Sequence, residues 1–596
     1  MKISDYVMEF IASLGVKKVF FISGGGAMYL DDSLGKNQNL DGVCMLHEQG
    51  ASIAAEAYAR VNDSYGCCLV TSGPGATNAL TGLVGSYIDS IPVVFISGQV
   101  KRADLKDNTG LRQFGIQEVD IISMVKEHTK YAVRVDDPLL IRYELEKAAS
   151  LAMEGRPGPV WIDIPLDIQA SEVDAESLQS YTEHKEYPAS ENEVDTTIQM
   201  LNSAKRPVLM LGHGIRLGHA IDLAREFYQT LGIPVLTSWN GVDLIEEEHP
   251  LYFGRPGFVG HRAANFIIQN ADFVLTLGTR LGITNTGYNY DDFLKNAKHV
   301  MVDIDPAETR KKSVHPSLSI NADVKDFLEK MIAKMNSISL KEEEMNTWLD
   351  RCKKLKTDYP VFIEEQKARD GFVSNYDLIH EVTSQMKPDD IYQFPSSGTT
   401  VDIAMKSFEI KWGQRAFLTK GLASMGYEVP ACVGSCIGSG GRRVVSVTGD
   451  GSFAMNMQEL EVIHRYNLPV KIFVSDNQGY SMIYTSQHNN FHGRLTGCTV
   501  DSGLTLPDMK AVANAFGIKG LHIEKRSELK EVVSQALAYD GPVICTVKTD
   551  ITQIIVPRQG NYMKEDGQMA SRPLEDMVPL IDRDEFEEVM RNDDSE

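Results

Sequence analysis

The stretch "RRVVSVTGDGSFAMNMQELEVIHRYNLPVKIFVSDN" places an acidic residue, Asp450, between two glycines at the end of an apolar run. "RRVVSVTG" has the composition of a buried strand, and "MNMQELEVIHRY" carries apolar residues at 457, 460, 463 and 466, the spacing of one helix face. Asp450 is therefore expected in the turn that leaves a strand at its carboxyl end. A second apolar strand, "PVKIFVSDN", ends at Asn477, 27 residues beyond Asp450. A right-handed crossover brings both residues to the carboxyl-terminal edge of one parallel sheet, where open α/β folds bind ligands. A carboxylate, an amide oxygen and a backbone carbonyl, that of Gly479, make an all-oxygen set suited to Mg²⁺ that keeps phosphate oxygens as its other ligands. A helix starting near Phe453 is expected to add its N–H groups to such a phosphate. An isolated Gly-Asp-Gly is more often a helix cap; the second strand end at Asn477 is what favours the metal.

Three α/β blocks must position these residues. A chain of 596 residues is too long for one core and predicts about three to four domains. Residues 1–170 alternate helix-like and strand-like segments, beginning with an amphipathic helix in "MKISDYVMEFIASLG" that does not read as a signal peptide. A polar, acidic linker leads to a second block at 190–335, and a charged, helix-like connector leads to a third at 373–555. Residues 556–596 form a tail with few strand signals. The first and third blocks resemble each other: "LVTSGPGATNALTGLVGSYIDSIPVVFISG" parallels "SVTGDGSFAMNMQELEVIHRYNLPVKIFVSD", and Thr71 to Pro92 and Thr448 to Pro469 both span 21 residues. Two similarly wound parallel sheets flanking a third are the expected fold.

Composition narrows the partners. Lys plus Arg number 59 against 82 Asp plus Glu, a net charge of −23 that disfavours sequence-independent binding to nucleic acid or an anionic membrane. No uninterrupted apolar run reaches membrane-spanning length. Eight cysteines, with Cys67 and Cys68 adjacent in an apolar run, show neither disulfide-framework nor zinc spacing, so a reducing cytoplasm is expected.

"GDGSFAMNMQEL" followed by "SDNQGYSM" resembles the thiamine diphosphate and Mg²⁺ signature of the acetohydroxyacid synthase and pyruvate oxidase group of thiamine enzymes. "LHEQGASIAAEAYAR", "TSGPGATNAL" and "GLASMGYEVPACVG" extend the resemblance over essentially the whole chain. The resemblance implies three doubly wound domains: pyrimidine-binding, central and diphosphate-binding. It implies Asp450, Asn477 and the Gly479 carbonyl as metal ligands. Around the cofactor it implies Ser397, Gly398, Thr399, Thr400, Gly449, Gly451, Ser452, Tyr480, Ser481 and Met482, with Met425 as the apolar prop beneath it. Glu48 becomes the central catalytic residue: a carboxyl at N1′ of the aminopyrimidine promotes deprotonation of thiazolium C2, and the carbanion attacks a 2-keto acid that then loses CO₂. Gln117 is implied near the reacting centre, although Ile116 stands where the family usually has Phe. His47 is left open between a structural and a site role. The family pairs Glu48 of one subunit with the diphosphate clamp of another, so a homodimer is the minimal unit and a homotetramer is expected.

The substrate is less sharply indicated. Ser486 falls where acetohydroxyacid synthases carry a tryptophan that selects the acceptor. "GYSMIYTSQHNNF", "VDSGLTLPDMKAVANAFGI" and "SRPLEDMVPLIDRDEF" resemble acetolactate synthase-like enzymes that help assemble unusual sugars for surface polysaccharides. The expected reaction is decarboxylation of a 2-keto acid, pyruvate first, with transfer of the acyl-anion equivalent to a carbonyl acceptor such as a nucleotide-linked keto sugar. The alternatives are a simple decarboxylase, a flavin-linked oxidase and a catalytically silent cofactor-binding subunit. Gly254, Gly278 and Arg280, in "GRPGFVGHRAAN" and "LGTRLG", match turns that hold FAD as a structural cofactor in some relatives.

Overall fold

The computed structural model describes residues 1–591. Three parallel sheets follow one another along the chain. The first contains β1 (Lys18–Phe21), β2 (Asp41–Cys44), β3 (Gly66–Val70), β4 (Val93–Gln99), β5 (Tyr131–Arg134) and β6 (Val160–Pro165), in the order β2-β1-β3-β4-β6-β5. The central sheet contains β7 (Pro207–Leu211), β8 (Val235–Thr237), β9 (Phe273–Leu277), β10 (Lys298–Val302) and β11 (Leu318–Ile320), in the order β11-β10-β9-β7-β8. The third contains β12 (Ile391–Gln393), β13 (Arg415–Phe417), β14 (Val444–Gly449), β15 (Val470–Asp476), β16 (Lys519–Ile523) and β17 (Val543–Lys548), in the order β13-β12-β14-β15-β17-β16. Counted within each sheet, the first and third have the same strand order, so the repeat in the sequence is a repeat of topology. The middle strands of the first two sheets, β3, β4, β7 and β9, are buried at every residue, as befits parallel strands covered on both faces.

The charged connector is the helix Glu342–Asp358, which buries Met345, Trp348, Cys352 and Leu355 on one stripe and docks on the central domain through Trp348 Nε1 donating to Pro207 O at 3.0 Å. The tail holds more strand than its sequence suggests. Arg558–Gln559 pairs antiparallel with Met577–Val578, and Asn561–Met563 with Met569–Ser571, segments of two and three residues that are too short to show a period of two. The tail's helix Arg583–Met590 lies against the helix Arg262–Asn270, with the Phe586 and Phe266 rings 6.2 Å apart. All eight cysteines are free.

The first and third domains meet through the helices Glu48–Asn62 and Glu428–Gly438. Approach is close enough that a Cβ on Gly434 would lie 2.1 Å from the carbonyl oxygen of Ala54. Beside this contact a buried ionic cluster joins all three domains. Arg60 pairs with Glu56 at 2.6 Å and Asp89 at 2.8 Å, Tyr427 donates to Glu56, and Arg415 pairs with Asp243 of the central domain at 2.5 Å. The helix contact generates a test. Gly434→Ala forces a methyl onto backbone that cannot swing away and is expected to destabilise by about 2–3 kcal/mol. Gly35→Ala, in a helix with open space around the site, should be neutral or stabilising by up to about 1 kcal/mol. Thermal unfolding of the two variants checks the difference.

Candidate active site

The first cluster is built where β14 and β15 end. The helix after β14 begins at Asp450 itself and runs to Met455, not from near Phe453 as the apolar spacing predicts. The chain then leaves helical geometry at Asn456 (φ −132°) and continues as the short turn Met457–Glu459 and the helix Leu460–Arg465, so the apolar pattern spans a break. Asp450 Oδ2 accepts N–H bonds from Asn477 at 3.0 Å and Gln478 at 2.6 Å, and Oδ1 accepts from Gly451 at 2.7 Å. Those bonds pin the two strand ends together. Burial, and then the charge of Asp476, push the Asp450 carboxyl up to about 7 against these three N–H groups. The side-chain Oδ1 of Asn477 is buried with no partner. An orphaned amide oxygen beside a buried carboxylate fits a hard cation, which would satisfy the first and neutralise the second.

The other residues singled out in the sequence converge on this turn. A Cβ on Gly451 would meet the Tyr480 ring at 2.2 Å and Met425 Cε at 3.4 Å, so both side chains lie over the turn and only glycine fits beneath them. Tyr480 N donates to Cys498 O at 2.9 Å, and a Cβ on Gly479 would lie 2.5 Å from that oxygen. Ser481 Oγ lies 2.6 Å from Thr399 Oγ1, which draws the end of β15 to the start of the helix Gly398–Ser407. There Gly398 takes φ +76°, and Thr400 Oγ1 donates to Ser397 O at 3.3 Å. Met482 opens outward, 37% exposed, in the first turn of the helix Ser481–Asn490.

The second cluster surrounds Glu48, the half-buried first residue of its helix. Asn78 Nδ2 donates to Glu48 Oε2 at 3.0 Å, and a Cβ on Gly75 would lie 3.6 Å from Oε1. Gln117 (φ +64°) brings its carbonyl oxygen to within 2.7 Å of where a Cβ on Gly73 would stand, while Ile116 beside it is 90% exposed. His47 is a cap: its Nδ1 accepts from Gln49 N at 3.1 Å. The His47 and Leu46 amides donate to Glu459 of the third domain at 3.0 and 3.2 Å. Among the described residues no hydrogen bond joins Glu48 to the Asp450 turn.

Asn78 and Glu459 are the residues sequence reasoning did not single out. Asn78 stands inside the quoted "TSGPGATNAL", but its pairing with Glu48 spans 30 residues and two helices. Glu459 reaches across 412 residues to His47, and no local pattern announces that.

A cavity of about 870 Å³ lies among the three domains, lined by Arg156, His213, Gly278, Arg280, Asp303 and Lys420 among others. Gly278 (φ +57°) packs against Gly214, where a Cβ would lie 2.7 Å from its Cα, and both ring nitrogens of half-buried His213 are themselves buried without partners. Gly254, singled out with Gly278 and Arg280, is not in the lining; its Cβ position is filled by His261.

Duplicated parallel sheets, with a cation-ready turn at the carboxyl edge of one and a tethered carboxylate at the other, define a cofactor-dependent α/β enzyme whose site is divided between two domains. The chain belongs to the thiamine pyrophosphate enzyme family: the models of its N-terminal TPP binding domain, central domain and C-terminal TPP binding domain match residues 1–124, 194–331 and 397–547. It is similar to the acetolactate synthase large subunit of Cyanidium caldarium, 31% identical over 93% of this chain and 95% of that one. It is also similar to the acetolactate synthase isozyme 2 large subunit of Escherichia coli (31%, 93% and 96%) and to chloroplastic acetolactate synthase 1 of Zea mays (32%, 94% and 86%). No helix among the described residues is long and apolar enough to cross a membrane.

Burial pushes the Glu459 carboxyl up to about 7 from an ordinary 4.5. The folded state therefore holds a proton there that the unfolded chain has lost. The associated stability is fully present below about 4.5 and is lost as pH rises through about 7. Glu459→Gln removes the titration but leaves one of the Leu46 and His47 amides facing an NH2 group, so its stability should lose the pH dependence of the wild type across that window, a difference on the order of 1–3 kcal/mol between the two pH slopes. Paired thermal melts at pH 5 and 8 measure it.

Proposed function

We propose that this chain decarboxylates a 2-keto acid, pyruvate first among them, and passes the acyl-anion equivalent to a carbonyl acceptor. The observation that carries the reading is the Asp450 carboxylate beside the buried, unpartnered Oδ1 of Asn477, inside the matched C-terminal TPP binding domain. The acetolactate synthase names of the relatives support the carboligase side of it. Mg²⁺ would be held by Asp450, Asn477 and the Gly479 carbonyl, and the diphosphate by Ser397–Thr400 and the Gly449–Ser452 turn. Bound thiamine diphosphate supplies the nucleophilic carbon and the electron sink. Met425, which leans over Gly451, would prop the cofactor from below.

Glu48 holds and moves the proton at its carboxyl. Asn78 occupies Oε2 and fixes the rotamer, which leaves Oε1 free to face the cofactor's pyrimidine. Gln117, packed on the same glycine turn, would meet the substrate. Among the described residues no hydrogen bond joins the Glu48 side chain to the Asp450 turn, and in this reading a second copy completes each site. The exposed apolar residues Leu46, Tyr87, Phe114, Ile116, Met124 and Met455 support that pairing. Ser486 is exposed on the helix Ser481–Asn490. A short side chain there leaves room for an acceptor larger than a second keto acid, such as a nucleotide-linked keto sugar. FAD, if carried, would sit in the 870 Å³ cavity against Gly278, Arg280 and His213 and take part in no step; its absorbance in purified protein tests this.

Glu48→Gln should bind thiamine diphosphate and Mg²⁺ as wild type while C2–H exchange and turnover fall by roughly 10²–10⁴. Exchange at the wild-type rate would refute the proton role. Mass spectrometry of products from a 2-keto acid panel, with and without keto sugars, separates the acceptors. Acetaldehyde or acetate as the sole product from pyruvate would replace carboligation with simple decarboxylation or oxidation.

A further inference from the structure

One buried carboxylate in the third domain has no part in the mechanism above. Glu428 is 0% exposed and is the first residue of the helix Glu428–Gly438. Its Oε1 accepts from Ser396 N at 2.6 Å and Ser396 Oγ at 2.9 Å, and its Oε2 accepts from Ser452 Oγ at 2.7 Å. Ser452 Oγ in turn accepts from Gly426 N at 2.9 Å. Three residues from separate segments are thus tied to one side chain, Ser396 and Ser452 directly and Gly426 through Ser452. They are the neighbours of Ser397 and Gly398, of Met425, and of Asp450: the three segments assigned above to the diphosphate, the pyrimidine prop and the metal.

The duplication of the fold gives the placement a second meaning. The helix Glu428–Gly438 lies between β13 and β14, as the helix Glu48–Asn62 lies between β2 and β3. With the two sheets in the same strand order, Glu428 is the counterpart of Glu48, each the first residue of its helix. Glu48 presents its carboxyl with one side-chain donor on it; Glu428 turns its carboxyl inward onto three. A desolvated carboxylate persists only when donors satisfy it, and removing it strands those donors in the interior.

We infer that Glu428 is a positioning residue that sets the diphosphate clamp before the cofactor arrives, by holding the Ser396, Gly426 and Ser452 segments at fixed separation. The inference rests on the reading of those segments as the clamp. Isothermal titration of the apo full-length protein with thiamine diphosphate in excess MgCl₂ tests it. Glu428→Ala should weaken cofactor affinity ten- to a hundredfold. Turnover at saturating cofactor should fall far less, so that the half-saturating cofactor concentration moves more than kcat. Glu428→Gln, which keeps the shape and one acceptor oxygen, should recover most of the loss. Should Glu428→Ala not fold, Ser396→Ala carries the test, since it removes a donor from Glu428 without touching Ser397–Thr400, with three- to tenfold weaker binding expected. Wild-type cofactor affinity in Glu428→Ala, or in Ser396→Ala where that variant carries the test, overturns the inference, as does a Glu428→Gln variant no better than Glu428→Ala. Asp450→Asn is the control: if it binds cofactor like wild type, the assignment of the clamp itself fails, whereas loss in Asp450→Asn with none in Glu428→Ala removes only the role of Glu428.

Discussion

The site depends on one close approach of backbone to backbone. Ala54 and Gly434 each stand six residues past the first residue of their helices, and the helices occupy the same place in the two copies of the sheet. Where the copies meet, equivalent positions face each other, as they do across a two-fold axis. The carbonyl of Ala54 lies in the space a side chain on Gly434 would need. The first of these helices is alanine-rich for the same reason: Ala51, Ala54, Ala55 and Ala57 are all buried. Small residues let the helices close, and closure fixes both amino termini, where Glu48 and Glu428 stand.

Around this contact the protein buries charge only where donors are ready for it. The chain carries a net charge of −23, so neither a diphosphate nor an interior carboxylate is helped by the field of the whole molecule. Glu56 is buried against Arg60 and Tyr427, and Asp243 against Arg216 and Arg415, whose guanidinium groups hold its carboxyl down to about 2 despite burial. Such pairs add little net stability against an apolar alternative, but breaking one is costly, so they fix which surfaces of the three domains can meet. Asp450 differs from them. It has three backbone N–H donors and no cationic side chain, and its carboxyl is held up rather than down. A cation arriving from outside the chain, as proposed above, would supply the positive partner that it lacks.

Much of this was legible in the sequence because it is local or repeated. The strand–turn–helix unit around Asp450 is local, and the 27-residue step to Asn477 is one crossover in a parallel sheet whose hand is fixed. The equal 21-residue spans after Thr71 and Thr448 are mirrored in two sheets of one order. The helix starts earlier than its apolar spacing predicts because residues 457, 460 and 463 keep that spacing through the break at Asn456; burial selects for the spacing, and continuous helix is not needed to provide it. Asn78, Glu459 and the donors on Glu428 were out of reach for another reason. Their partners lie 24 to 413 residues away, and pairing at that distance depends on how helices cross, which no period encodes.

The two first-position glutamates show how a duplicated fold separates roles without new residue types. Both are carboxyls at the amino end of a helix, where backbone N–H groups favour negative charge. What differs is how many donors reach them. Among the described residues Asn78 alone hydrogen-bonds the Glu48 carboxyl, from an exposed position, so one oxygen keeps no hydrogen-bond partner. Ser396 and Ser452 take three acceptor positions on Glu428 and seal it from solvent, so it has no oxygen to offer a ligand and holds the loops that do. Position in the repeat therefore fixes where each carboxyl stands, and the donors of neighbouring loops decide which one keeps an unpaired oxygen.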